Sequence, residues 1–440
     1  MGQKKGIPSL EARDNKMSAK KILLKGPLLS RSGYGEQARF ALRSLRAHQD
    51  RFDIYIENLN WGQTGWIWED NEERRWFDEL FRKSSVHHHN GGGYDLTLQV
   101  TIPNEWQKIA PYNVGYTAGI ETNKIAAEWV TKANEMDKII VVSNHAKEGF
   151  DNTSYEATSN ETGEHIPNYR CTTPVEAVNY PVLKVEPESL DLDLKTDFNF
   201  VTVLQWSPRK NLENTIRNFV EEFKNDEDVG LIVKVNHRNN SIGDFYQSRH
   251  SLRSLLQPFE EAKCSVYLLH GDMTAEQLTG LYTHPKVRAL INLSHGEGYG
   301  LPMFEAAYNG LPVVAPAWSG QKDFLYAPKK DKKTKKTFMA AHFAQVEYSI
   351  QPIQQEAHWP GVLNPDQMWC FPHNGSYKNA LRKVRKDYGF YESMAKKLKV
   401  YVDENFTEEK MYQKFADAVF KEESFEISDW LDNLNVREHE

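Results

Sequence analysis

The sequence predicts an α/β fold of two doubly wound, Rossmann-like domains facing a cleft. Three observations predict it. The chain has 440 residues, a length that suits two or three domains. Short apolar runs of strand length alternate with helix-length segments in both halves. One stretch, Ala289 to Asp323, reads as strand, glycine-bearing loop, helix and strand, a complete βαβ unit.

That unit carries the chemistry. Its strand is Ala289–Leu293 and its loop runs from Ser294 to Gly300. Pro302 suits the first turn of a helix, where its missing N–H costs nothing. Gly310 can end the helix in a left-handed cap, and Leu311–Ala315 is the next strand. Glu297 lies in the loop and Glu305 in the helix, with seven residues between them. The N–H groups of Gly298, Tyr299, Gly300 and Leu301, at the positive end of the helix, make an anion site suited to a diphosphate. Glu305 would accept hydrogen bonds from a ribose diol beside it. Glu297 would meet a sugar attached to the diphosphate.

The stretches SHGEGYGLPMFEA and GLPVVA resemble the Glu-x7-Glu signature of retaining GT-B-fold glycosyltransferases, specifically glycosyltransferase family 4 (group 1). The resemblance covers most of the chain, from about Lys20 to Phe420. It implies a GT-B fold and a retaining, metal-independent transfer of a hexose from a nucleotide-diphosphate sugar to a hydroxyl. UDP-glucose is the first expectation for the donor, with GDP-mannose behind it. No cofactor and no metal are implied. The acceptor stays open among a carbohydrate, a lipid-linked sugar, a small metabolite and a modified DNA base. An epimerase or phosphorylase-like enzyme on the same fold, or a non-catalytic nucleotide-sugar-binding protein, are the alternatives.

In chain order, residues 1–19 are polar and expected to be disordered. Residues 20–183 form the acceptor-side domain, 184–196 a linker, 197–385 the nucleotide-sugar domain, and 386–440 closing helices that cross back to the first domain. In the first domain, strand Lys21–Lys25 leads to Gly33, Tyr34 and Gly35, a glycine loop before a long amphipathic helix. The resemblance puts these three near the donor diphosphate and the acceptor. Strand Asp53–Ile56 precedes a tryptophan-rich stretch in which Trp61, Trp66, Trp68 and Trp76 are expected to pack more than to stack on sugars. His87, His88 and His89 run into three glycines and read as a mobile loop, not a metal site. After strand Asp95–Val100, the turn Thr117–Glu121 falls at the C-terminal end of a parallel strand, where open sheets bind ligands. Glu121 is either an acceptor-side catalytic group or the cap of a helix starting near Asn123 and ending in Trp129. His145, beside a helix cap, is a further open case. Residues 151–173 read as an irregular insertion, and Val175–Pro181 as the last strand of this half.

The second domain opens on strand Phe200–Leu204, followed by Arg209 and Lys210 at the turn into a helix. Departure of a nucleotide diphosphate builds negative charge, which fixed cations stabilise. The family pattern usually has an arginine where this chain has Gln205, so Arg209 is expected to supply that charge beside Lys210. The backbone of Gly271 to Met273 is expected to flank the base. Lys329 to Lys336 is expected to be a solvated loop.

Composition agrees with a soluble enzyme: 40% hydrophobic and 26% charged. A net charge of −7 disfavours a dedicated nucleic-acid binder. No run reaches the length of a membrane span, and the N-terminus lacks a signal-peptide core. Three cysteines without metal-like spacing suit a cytoplasmic protein. Nothing in the sequence sets the oligomeric state.

Overall fold

The computed structural model describes residues 19–159 and 162–421. The first half is built on β1 (Lys20–Gly26), β2 (Phe52–Asn58), β3 (Leu96–Val100), β4 (Tyr112–Thr117) and β5 (Lys138–Val141). A hairpin of β6 (Ser154–Thr158) and β7 (His165–Arg170) then precedes β8 (Val175–Ala177). Its helices are α1 (Gly33–Arg46), α2 (Glu72–His89), α3 (Ala127–Ala133) and α4 (Asn144–Asn152). The six-stranded sheet has the order β2-β1-β3-β4-β5-β8 and is parallel throughout.

The second half repeats the plan with β9 (Phe198–Gln205), β10 (Val229–Asn236), β11 (Ser265–Leu269), β12 (Val287–Ile291) and β13 (Val313–Pro316). A hairpin of β14 (Tyr326–Lys330) and β15 (Thr337–Ala341) leads to β16 (Ala344–Val346), and β17 (Tyr348–Pro352) pairs with β18 (Met368–Pro372). Helices α5 (Leu212–Phe223), α6 (Ile242–Leu256), α7 (Ala275–Thr283) and α8 (Leu301–Tyr308) alternate with the strands. Helices α9 (Asn374–Lys386), α10 (Tyr388–Asn405) and α11 (Glu408–Val419) close the chain. The second sheet, also parallel, has the order β11-β10-β9-β12-β13-β16. Its order reverses between β9 and β12, and ligands bind at such a switch point, beyond the C-terminal strand ends. The loops carrying Arg209–Lys210 and Glu297 leave those two strands.

The strands read as apolar runs because helices cover both faces of each sheet. The core continues from one half to the other: Tyr180 of the first half meets Tyr299 of the second edge-on at 5.0 Å. Helix α11 returns to the first half. Its Phe415, wholly buried, lies 5.0 Å from Phe40 of α1 and 4.9 Å from Tyr116 of β4. Arg51 and Asp417 pair at 2.8 Å beside it. Residues 184–196 hold no helix or strand and run along α7, where Glu188 N donates to Glu276 O at 3.0 Å.

Several expectations are corrected. Gly33 and Gly35 form the first turn of α1, not a loop before it, because Ser32 caps the helix by accepting from Gly35 N at 3.1 Å. Trp66 and Trp68, expected to pack, are 48% and 77% exposed. The three histidines end α2; His87 packs tilted against Tyr55 at 4.3 Å and bonds Gly93 O, so the histidines continue a helix that the glycines then stop. Helix α3 begins at Ala127, so Trp129 sits in its first turn and Glu121 does not cap it. Ser154–Thr158 and His165–Arg170 pair antiparallel as the β6–β7 hairpin where an irregular insertion was expected. The lysine run is exposed, as expected; Lys329 and Lys330 end β14, and the remaining residues form its turn to β15. The expected disordered N-terminus, apart from Ala19, and residues 422–440 lie outside the described residues.

Truncating Phe415 to Ala tests the return of α11. The cavity should cost about 3–5 kcal/mol of stability, read as an earlier urea midpoint. A loss under ~1 kcal/mol would show that α11 is not part of the core.

Candidate active site

Glu297 is the centre of the site. It is 6% exposed. Lys210 Nζ donates to both of its oxygens, at 2.6 and 2.8 Å. Arg209 reaches Oε2 at 3.2 Å, and Ser294 Oγ and Asn292 Nδ2 bond Oε1 at 2.6 and 3.3 Å. From behind, Ser319 Oγ accepts from Glu297 N at 2.8 Å. Burial alone would raise the carboxyl's pKa. The adjacent Lys210 and Arg209 overcome that and bring it to about 2. The same burial, with Arg209 alongside, lowers the Lys210 ammonium despite its partner. Burial would also lower Arg209, but Glu121 and Glu297 together raise it.

The turn Pro208–Lys210 makes this possible. Pro208 opens a single 3₁₀ turn after β9, and Asn211 takes a left-handed conformation (φ 53°) before α5. The two cations therefore project side by side from one turn. Arg209 also bridges the halves: it donates to Gly296 O at 2.7 Å and pairs with Glu121 Oε1 at 3.2 Å. Glu297, Lys210, Arg209 and Glu121 thus form one contiguous cluster. Glu297 was expected to meet a sugar attached to the diphosphate. In the structure its oxygens bond the two cations and two polar neighbours.

The loop around Glu297 touches the first half closely. A Cβ on Gly296 would lie 2.7 Å from Glu121 Cβ, and one on Gly298 2.6 Å from Ala118 O. Ser143 Oγ, the cap of α4, donates to Gly298 O at 2.7 Å. Gly300, at φ 96°, turns the chain into α8, with Leu301 its first residue and Pro302 in its first turn. Tyr299 was expected to act through its backbone N–H. Its ring is 4% exposed and lies 5.2 Å from Phe304 and 4.9 Å from Phe324, so only its backbone can face an anion.

Glu305 sits in a contrasting place. It accepts from Tyr282 Oη at 2.8 Å and no cation pairs with it among the described residues. Burial raises its pKa to about 7, Tyr282 opposing and Glu36 adding to the rise. Tyr34 points from α1 to β4, its hydroxyl 2.8 Å from Thr117 Oγ1. Gly35 is required where it stands, since a Cβ there would lie 1.9 Å from Ser30 O; Gly33 has open space.

Sequence reasoning missed three supports. Trp318 Nε1 donates to Glu121 O at 3.1 Å, across the halves. Ser319, braced behind Glu297, adopts φ 69°, a costly conformation for a serine. His295, inside the motif itself, bonds Cys370 O through Nδ1 at 2.7 Å and stacks on Trp369 at 5.2 Å. A carbonyl only accepts, so Nδ1 carries the proton and Nε2 accepts from Gln354. Burial lowers His295 to about 4, which keeps it neutral. His145, lowered to about 4 by burial, packs edge-on to Trp318 at 5.0 Å.

No family model matches the chain. Over 116 residues it is 31% identical to the serotype-specific mannosyltransferase WbdA of Escherichia coli, a match covering 26% of this chain and 13% of that protein. Among solved structures, the sucrose-phosphate synthase of Thermosynechococcus elongatus superposes with a TM-score of 0.58 at 13% identity, covering 90% of this chain and 98% of that one. Anabaena HepE in complex with UDP and glucose gives 0.54 at 14% identity, covering 91% and 99%.

The opposed carboxylates give opposite pH signs. Glu297, lowered to about 2, contributes stability that is full above its unfolded value and lost as pH falls toward 2. Glu305, raised to about 7, holds a proton that the unfolded chain releases, so stability falls as pH rises from its unfolded value through 7. Glu305→Gln should therefore flatten the melting temperature between pH 5 and 8, whereas Glu297→Ala should unfold about 3–5 kcal/mol more easily at pH 7. Unchanged pH profiles in Glu305→Gln, from differential scanning fluorimetry, would refute its environment.

The two parallel six-stranded sheets and these whole-length superpositions show that the chain has the GT-B glycosyltransferase fold.

Proposed function

We propose that this protein is a retaining, metal-independent glycosyltransferase of family 4 that transfers a hexose from a nucleoside diphosphate sugar to a hydroxyl. One observation carries the reading: Arg209 and Lys210 project together beside the glycine loop at the switch point of the second sheet. An ammonium has three donors. Two of those of Lys210 go to Glu297, which leaves one for a leaving phosphate. The Nε and second amino group of Arg209 make no hydrogen bond among the described residues and can take phosphate oxygens as well. Two fixed cations can neutralise the departing diphosphate without a metal.

In this scheme the bond from the anomeric carbon to the diphosphate oxygen breaks as the acceptor oxygen attacks from the same face. The acceptor proton passes to the leaving phosphate. Glu297 keeps the two cations aligned, Glu305 takes the ribose hydroxyls, and the N–H groups from Gly298 to Leu301 take the diphosphate. Glu121 and Tyr34 line the acceptor side. Closure of the halves excludes water and strengthens these interactions.

UDP-glucose is the proposed donor, on the strength of the family resemblance and of HepE, which was solved with UDP-glucose. GDP-mannose is the second reading, because WbdA is a mannosyltransferase. The cytoplasm is the proposed setting, since Cys171, Cys264 and Cys370 are all free thiols. No helix of the described residues is long and apolar enough to cross a membrane.

Thermal-shift screening of UDP, GDP and their sugars tests the donor. A stabilising nucleotide names it by mass action, and stabilisation by none of them would refute the reading. Lys210→Ala should lower kcat by more than about tenfold, ~1.4 kcal/mol of barrier. Glu305→Ala should raise the donor KM by at least about tenfold. A Lys210→Ala variant within about twofold of the parent kcat would reject the leaving-group role.

A further inference from the structure

His295 stands in the motif loop, two residues before Glu297, and is almost fully buried. All four of its polar atoms are bonded. Its N–H donates to Arg209 O at 2.9 Å, and its carbonyl accepts from Cys370 N at 3.0 Å. Its Nδ1 lies 2.7 Å from Cys370 O, and its Nε2 lies 2.8 Å from Gln354 Nε2. Three of these bonds go to the β17–β18 hairpin and its loop. The fourth goes to the residue that carries the guanidinium of the site.

The direction of each side-chain bond is fixed. An indole nitrogen only donates, so Trp369 Nε1, at 3.0 Å, faces the amide oxygen of Gln354. That turns the Gln354 amide nitrogen, a donor, towards His295 Nε2. Nε2 must then accept, and the ring proton sits on Nδ1, where Cys370 O receives it. Trp369 also stacks on the imidazole, with 9° between the planes. The relay admits one tautomer and one ring orientation.

The hairpin is fastened at its other end to the first half. Its connecting loop, residues 353–367, buries Val362 in the apolar cluster of Ile102, Trp106 and Trp129. Gly361 O accepts from Asn104 Nδ2 at 3.1 Å. Asn123 N donates to Met368 O at 2.9 Å, and Met368 N donates to Asn123 Oδ1 at 2.8 Å. Gln367 Nε2 donates to Lys124 O at 2.8 Å. The first-half turn that pairs Glu121 with Arg209 therefore reaches Arg209 a second time, from Asn123 through Met368, Cys370 and His295.

We infer that His295 is a positioning residue for Arg209, and that the β17–β18 hairpin is a strap through which contact between the halves sets where Arg209 stands. Separation of the halves parts Asn123 from Met368 and withdraws Val362 from its cluster. The hairpin then loses the support that holds Cys370 and Trp369 against His295. Arg209 comes to its place beside Lys210 only when the strap is seated. A misplacement of about 1 Å at a charge-stabilising group costs on the order of a hundredfold in rate. The catalytic consequence rests on the glycosyltransferase reading; the relay itself does not.

The test uses the full chain. Histidine-labelled protein is read by long-range nitrogen–proton NMR at neutral pH, with His295→Asn identifying the signal. The parent should show His295 as the neutral Nδ1–H tautomer. Gln354→Met keeps the length of a half-buried side chain and removes both of its relay bonds, so the Nε2–H form should appear. Turnover is scored as free nucleotide released from UDP-glucose or GDP-mannose. Gln354→Met should lower kcat at least about tenfold while donor KM changes by less than about threefold. His295→Asn, whose amide nitrogen replaces Nδ1, should keep more of the kcat than His295→Ala. The Asn123→Ala, Val362→Ala double variant, which removes neither His295 nor a cation, should reproduce the loss seen in Gln354→Met. An Nε2–H or doubly protonated His295 in the parent overturns the relay without any variant. A Gln354→Met kcat within about twofold of the parent overturns the positioning role, and a double variant at the parent kcat overturns the strap. Failure of UDP and GDP alike to stabilise the parent removes the glycosyltransferase reading, and the NMR signal still decides the relay.

Discussion

One buried carboxylate organises the site. Glu297 sits between two cations that would otherwise repel each other within a single turn, and it is almost fully removed from water. An unpaired charge in such a place is costly, and a well-bonded pair is tolerated. The surrounding polar groups follow from that constraint. Asn292, Ser294 and Ser319 each give Glu297 a hydrogen bond or hold its backbone. Ser319 does so from a conformation unfavourable for its type, which persists only where neighbouring structure over-determines it.

The same cluster couples the two halves. Arg209 reaches Glu121 across the cleft, and Glu121 O takes the indole N–H of Trp318. Asp323 accepts from Asn144 N at 2.9 Å and Asn179 Nδ2 at 2.8 Å, both from the first half. Backbone contact at Gly296 and Gly298 is possible only because neither has a Cβ. The structure is therefore a closed cleft in which Glu121 occupies part of the cationic site. On the proposed function, a diphosphate would use the donors of Lys210 and Arg209 that the carboxylates leave open, and separation of the halves would admit it.

Much of the architecture was legible because strands covered on both faces must be nearly all apolar. The apolar run Ala289–Leu293 announces itself that way, although the strand observed there, Val287–Ile291, starts two residues earlier. The motif containing Glu297 and Glu305 was legible because loop, proline and helix follow one another without ambiguity. What sequence could not give was the partner of each group. Nothing local distinguishes a carboxylate open to sugar from one gripped by Lys210, since the lysine is 87 residues away. Tyr299 reads as a loop residue until Tyr180 is placed against it from the other half. The β6–β7 hairpin escaped because its strands are short and mostly exposed and polar, which makes the alternation in SYEAT too brief to stand out. The outward-facing tryptophans escaped for the opposite reason: apolar residues are expected inside, and only a fold can show an exception.

Seven residues separate two carboxylates that the fold drives in opposite directions. Glu297 is drawn down to about 2 by its cations, and Glu305 is pushed up to about 7 by burial. Pairs of acids pushed apart in this way take different tasks. Glu297, held well below the usual carboxylate range by its cations, is charged near neutrality and pairs with Arg209 and Lys210. Glu305 stands at the edge of ionisation with a single donor, Tyr282. Two hydroxyls arriving there would favour its charged form, because hydrogen bonds to a carboxylate lower its pKa. Binding of a diol at Glu305 is then coupled to loss of a proton near neutrality, whereas a ligand lacking those hydroxyls leaves a buried acid protonated and gains little from it. On the proposed function, the site would favour a ribose at Glu305, while Glu297 would serve the two cations proposed to receive the leaving charge.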